Sequence, residues 1–203
     1  MIVAANWKMN LQLSVATELA SDYCATSHAG VTRILFAPHP YLVPIGARLR
    51  GSGILLGAQD CHQSSSGAHT GDVSTGMLRD CGASLVLLGH SERRADHGET
   101  SELVAAKAVQ ALKTGLSMVI CVGETLAERE AGNALTIVLD QLAISVPTTL
   151  PTTALTIAYE PVWAIGTGKV ATAAEIAEMH LGIRRWLDGA GFAQTEILYG
   201  GSV

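Results

Sequence analysis

Seven short apolar runs recur along the chain, at residues 2–5, 33–37, 54–58, 84–88, 118–122, 155–159 and 196–199, and they are continuous rather than alternating. A strand that is apolar on both faces belongs inside a parallel sheet covered by helices, and parallel neighbours need a crossover of helical length between them. The intervals between most of the runs supply that length. Repeated βα units are the expected architecture. With 48% hydrophobic and 15% charged residues in a chain of 203, there is ample material for a large core, and a disordered chain is excluded.

Helices are marked between the runs by caps as well as by periodicity. Thr125-Leu-Ala-Glu128 and Thr172-Ala-Ala-Glu175 both have the capping-box spacing, in which hydroxyl and carboxylate each satisfy an otherwise unpaired amide. Residues 101–113 and 175–187 carry apolar residues at three- and four-residue intervals, with Gly115 and Gly189 as expected C-terminal stops. Asn10 or Ser14 is the expected start of the first helix, which should end near Gly30. Gly132-Asn133 should divide the fifth helical region. The glycine-rich stretch 57–76 is too long for a simple turn, and loops of that size in a compact domain usually serve function.

Several classes of function are disfavoured. A formal net charge of -5 lacks the clustered Lys and Arg of a nucleic-acid surface. No apolar run approaches the length of a membrane span and no basic leader precedes the first strand, so a cytoplasmic location is expected. Cys24, Cys61, Cys81 and Cys121 are widely and irregularly spaced, which suggests core thiols rather than a disulfide framework or zinc site. The seven histidines include no H-E-x-x-H, so no metal is expected. Gly168-Lys169 does not end a P-loop, because Trp163 and Val170 stand where that motif needs Gly and Ser or Thr.

The chemistry gathers just after the strands. Asn6-Trp7-Lys8 follows the first, Gly89-His90-Ser91-Glu92 the fourth, Glu160 the sixth and Gly200-Gly201-Ser202 the seventh. In a parallel barrel those C-terminal ends share one face, so residues distant in sequence are expected to share a pocket. Glu160 with His90 suits proton transfer, the carboxylate as base and the imidazole as donor to an oxygen that gains negative charge, which Lys8 would stabilise. The short helix expected after His90 disfavours an imidazolium, leaving a neutral electrophile. From Pro161 to Ala171 the chain passes from stiff Pro161, Val162 and Trp163 to Gly166 and Gly168, as a lid with firm ends would. Gly166 and Gly168, with Gly200, Gly201 and the Ser202 hydroxyl, offer the bare amides of an anion site, for which phosphate is the expected ligand.

These stretches resemble the triosephosphate isomerase family. The resemblance rests on Asn6-Trp-Lys-Met-Asn10, Gly57-Ala-Gln59, Thr70-Gly71, Gly89-His-Ser-Glu-Arg-Arg94, Cys121-Val-Gly-Glu-Thr125, Tyr159-Glu-Pro-Val-Trp-Ala-Ile-Gly-Thr-Gly-Lys169 and Tyr199-Gly-Gly-Ser-Val203, in the family's order. It implies an α/β fold of the TIM (β/α)8-barrel type, truncated to about seven βα units, because the family's chains continue beyond a seventh strand and this sequence stops at Val203. One C-terminally incomplete domain over residues 1–203 is expected, with exposed edges at its first and seventh strands. The implied activity is interconversion of dihydroxyacetone phosphate and glyceraldehyde 3-phosphate through an enediolate, without a cofactor. The alternative is a folded, catalytically weak or inactive truncated homologue that acts only as a phosphate-binding or dimeric scaffold.

The resemblance also assigns roles. Glu160 would shuttle the proton, His90 polarise the oxygens, Asn6 and Lys8 stabilise the oxyanion, and Glu92 support Lys8. Gly166, Gly200, Gly201 and Ser202 would hold the phosphate under the lid of Pro161, Val162, Trp163, Gly168 and Ala171. Residues 64–74 resemble the family's dimer loop, with Thr70 at its tip, so a homodimer is expected. The chain departs from the family pattern mildly at His69, Asp72, Val170 and Ala173.

Overall fold

The computed structural model describes residues 1–26 and 28–201. Each expected run is a strand: β1 (Ile2–Asn6), β2 (Thr32–Ala37), β3 (Ile54–Ala58), β4 (Leu85–Leu88), β5 (Ser117–Val122), β6 (Leu155–Tyr159) and β7 (Glu196–Tyr199). Among the described residues eight α-helices accompany them: α1 (Leu13–Ala25), α2 (Leu42–Leu49), α3 (Thr75–Asp80), α4 (Ser91–His97), α5 (Ser101–Lys113), α6 (Leu126–Glu130), α7 (Ala134–Ser145) and α8 (Ala173–Gly189). The chain divides into two compact units, residues 1–87 with 110–117, and residues 88–109 with those from 118 onward.

In the first unit β1 pairs with β2, β2 with β3 and β3 with β4, all parallel. Ile34, Leu35, Phe36, Leu56 and Val86 are buried, and Leu42, Ile45 and Leu49 of α2 join them in the core. Continuous apolar runs are thus the signature of strands covered on both faces. β1 is different. Val3 is 54% exposed and Ala4 is exposed too. In the second unit β5 pairs with β6 and β6 with β7, again parallel, over a core of Ile120, Ile157, Leu142, Ile183 and Leu187. β7 is only half-buried.

Both capping boxes form, at Thr125 with Glu128 and at Thr172 with Glu175, and Gly132-Asn133 separates α6 from α7. Two expectations about helix ends fail. Neither Asn10 nor Ser14 caps α1: the cap position is Gln12, without a side-chain bond, because the Asn10 amide is used earlier, donating to the Trp7 carbonyl at 3.1 Å. The helix also stops at Ala25, well before Gly30. Gly189 is the last helical residue of α8 rather than its stop, and the left-handed turn falls to Gly191 at φ +88°. Of the cysteines, Cys61 and Cys121 are buried but Cys24 and Cys81 only half so, and none of the four is in a disulfide.

Candidate active site

In the first unit the end of β1 is built around one side-chain amide. Lys8 sits in the left-handed region at φ +54°, a conformation that costs a side-chain-bearing residue energy and needs support from its surroundings. The support is visible. Asn6 Oδ1 accepts the Lys8 N–H at 2.9 Å and one hydrogen of Gln59 Nε2 at 3.2 Å, while the same Gln59 nitrogen lies 2.9 Å from the Lys8 carbonyl. Trp7 is buried, and its N–H donates to Phe36 at 3.1 Å, continuing the β1–β2 ladder one residue past the strand. Asn6 and Lys8 are therefore brought together, and Gln59, directly after β3, holds both. Nothing in the sequence pattern around Gly57-Ala-Gln59 assigns Gln59 this task.

In the second unit the expected base and electrophile meet. His90 lies at the cap position of α4, where its Nδ1 accepts the Glu92 N–H at 3.2 Å. A ring that accepts at Nδ1 carries its hydrogen on Nε2, and that nitrogen lies 3.3 Å from Glu160 Oε1. The other carboxylate oxygen of Glu160 accepts the Ser91 N–H at 3.1 Å. Glu160 is buried, with 7% of its surface exposed. Glu92 stands in the first turn of α4, its carboxylate half-exposed and 3.6 Å from His90 Nδ1.

Backbone packing fixes where Glu160 stands. Its N–H donates to Val122 at 2.8 Å, one residue beyond β6, and its carbonyl presses on Gly123, where an added Cβ would fall 1.8 Å from that oxygen. Only glycine fits there. Beneath the carboxylate, Cys121 is fully buried, and burial first, then the nearby Glu160 charge, push its thiol far above the ordinary range, so it stays protonated. Gly200 donates to the Tyr159 carbonyl at 2.8 Å and lies against Glu160, and Gly201 lies against Pro161. Gly166 sits instead in the solvent-exposed part of the lid loop, and Ser202 lies outside the described residues.

The segment expected to act as a lid has a buried base at Pro161, Ala164 and Ala171 and an exposed stretch from 166 to 170. Its anchors include a residue to which sequence reading gave no role. Glu124 is fully buried, and its Oε1 accepts from Trp163 Nε1 at 2.8 Å, Arg129 at 3.0 Å and the Tyr159 hydroxyl at 3.1 Å. The Tyr159 phenol is pushed well up, by burial first and then by Glu124. Arg129 also donates to Glu175 at 3.0 Å, and Glu175 completes the capping box of Thr172 at the other end of the loop. Both ends of this segment thus hang on one guanidinium, which also lies 5.1 Å from the centre of the Trp163 ring. Glu124 follows β5 as Glu160 follows β6, so the rule that singled out polar residues at strand ends applied to it equally.

Comparison with known proteins completes the picture. The family model for triosephosphate isomerase matches residues 1–203. The chain belongs to the triosephosphate isomerase family. Among the similar triosephosphate isomerases, that of Caulobacter vibrioides is 50% identical and that of Hyphomonas neptunium 48%, each matched by the whole of this chain and over 82% and 83% of its own length. The crystal structure of triosephosphate isomerase from Bartonella henselae superposes with a TM-score of 0.91 at 38% identity, covering 100% of this chain and 83% of that one. The expected α/β fold of the TIM-barrel type is therefore the fold of this chain.

Proposed function

We propose that this chain is an isomerase that interconverts dihydroxyacetone phosphate and D-glyceraldehyde 3-phosphate by proton transfer through an enediolate. The observation that carries the chemistry is the pair of contacts at Glu160: a buried carboxylate held by the Ser91 amide, with the Nε2–H of His90 3.3 Å away. A scaffold has no use for such an arrangement. Glu160 takes a proton from one carbon of the substrate and returns it to the next, and His90 donates to the oxygen that becomes negative. Asn6 and Lys8 serve the same oxyanion. Gly166, Gly200, Gly201 and Ser202 take the phosphate, and closure of residues 161–171 over it keeps water from the enediolate.

We also place the protein in the cytoplasm as a homodimer. No helix among the described residues is long and apolar enough to cross a membrane. Residues 65–72 are exposed, with Thr70 at the turn, a surface suited to contact with a second copy. Sedimentation of a chain with residues 65–72 replaced by a short linker tests this: monomers are expected, and an intact dimer would place the interface elsewhere. The activity is tested by a coupled assay of the unmodified chain in both directions. Turnover supports the reading, and a correctly folded chain without turnover overturns it.

A further inference from the structure

Arg94 stands in α4, and its half-buried side chain turns back toward Gly89, the start of the same motif. Its Nε donates to the Gly89 carbonyl at 2.8 Å, and one terminal nitrogen donates to the Cys121 carbonyl in β5 and to Ser145 Oγ, each at 3.3 Å. The other terminal nitrogen donates to Ser101 Oγ at 3.1 Å. Gly89 leaves room for this. It sits at φ +67°, and a Cβ added there would stand 2.9 Å from the guanidinium and 2.9 Å from Val104.

The two carbonyls belong to the two segments that carry the reacting pair. Gly89 immediately precedes His90, and Ser91 then donates its N–H to Glu160 Oε2 at 3.1 Å. Cys121 is followed by Val122, whose carbonyl accepts the Glu160 N–H at 2.8 Å, and by Gly123, on which the Glu160 carbonyl presses. Fixing Gly89 against Cys121 therefore fixes His90 against Glu160. On the basis of the isomerase reading, we propose that Arg94 is a positioning residue for the proton transfer: the planar fork of its guanidinium spans the Gly89 and Cys121 carbonyls and holds His90 Nε2 at its 3.3 Å from Glu160.

A guanidinium suits this task better than an ammonium. Its donors lie in one rigid plane and reach two carbonyls at once, whereas lysine carries a point charge on a flexible stem. Burial draws the pKa of Arg94 down, but a guanidinium stays charged in a protein, and the charges of Glu99 and Glu160 act to keep it so. Ser101 and Ser145 hold the fork from its other side. Arg94 acts through the backbone rather than on the substrate, so what it contributes is distance, and a misplacement near 1 Å costs about a hundredfold in rate.

The test compares Arg94→Met and Arg94→Lys with the parent and with Arg184→Met. The last is a matched control, because the Arg184 guanidinium also bridges two backbone carbonyls, those of Ala193 and Thr195, but just before the N-terminal end of β7. At a temperature where urea denaturation shows the proteins folded, kcat should fall at least about tenfold in both Arg94 variants and stay parental in Arg184→Met. KM and inhibition by inorganic phosphate should remain within about twofold of the parent, since the loss falls on the transition state alone. The Nε2 proton of His90, followed by nitrogen-resolved magnetic resonance, should exchange with water at least about tenfold faster in the Arg94 variants only. A merely structural role would lower stability and leave that proton and kcat untouched. Parental kcat in folded Arg94→Met, full activity in Arg94→Lys, or unchanged exchange of the His90 proton would each overturn the proposal. A parent without turnover defeats the isomerase reading instead, and the His90 proton then decides the role of Arg94 by itself.

Discussion

The indole N–H of Trp163 donates to the buried Oε1 of Glu124 at 2.8 Å, tying the start of the segment proposed as a lid to the second residue after β5. A hydrogen bond to a charged acceptor is worth roughly 1.5–3 kcal/mol, one to two decades in an equilibrium between lid states. Trp163→Phe keeps the ring and removes only the donor. Amide exchange at residues 162–165 should accelerate at least about tenfold, with the α8 core unaffected. Unchanged exchange would show that Glu124 does not set the position of the lid.

Gly123 faces the Glu160 carbonyl so closely that Gly123→Ala needs the backbone itself to move, since the new carbon would sit 1.8 Å from that oxygen. Overpacking of this kind costs about 1–3 kcal/mol and more when backbone rather than a flexible side chain must yield. With Glu160 as the proposed base, a shift near 1 Å also loses rate, by about a hundredfold. Urea denaturation and steady-state kinetics should show both losses together. A variant with full stability and full turnover would contradict the packing described.

His180 supplies a pH dependence. Its Nε2 is buried with no partner among the described residues, its ring meets Tyr159 edge-on at 6.1 Å, and desolvation lowers its pKa from the ordinary 6.5. In the unfolded chain the imidazole takes up a proton below about 6.5, whereas the folded protein resists it, so the unfolded state binds more protons there. Stability from this group is complete above that pH and is lost as pH falls below it. Melting temperatures from pH 7 to pH 5 should decline less steeply in His180→Gln than in the parent. Parallel slopes would remove His180 from the account.

The strands were legible because burial on both faces leaves an uninterrupted apolar run, and all seven lie within a residue of their expected bounds. Capping boxes were legible for a similar reason, since hydroxyl and carboxylate three residues apart satisfy each other locally. The α1 cap was not, because the Asn10 amide has a rival acceptor in Trp7 that only the fold provides. His90 and Glu160 could be named from their strand-end positions, but the tautomer of His90 depends on the Glu92 amide turning toward Nδ1. Arg129 was hidden, because its two acceptors, Glu124 and Glu175, are far apart in sequence.

The most direct test of the account is the isomerisation of dihydroxyacetone phosphate in deuterium oxide, followed by proton magnetic resonance, for the unmodified chain beside Glu160→Gln. If Glu160 carries the proton through an enediolate, the parent forms glyceraldehyde 3-phosphate with deuterium at the carbon that receives the proton. Glu160→Gln should remain folded and slow the reaction by at least about a hundredfold, the usual contribution of a general base. A folded parent chain that forms no product, or a Glu160→Gln variant that labels and turns over at the parental rate, would contradict it.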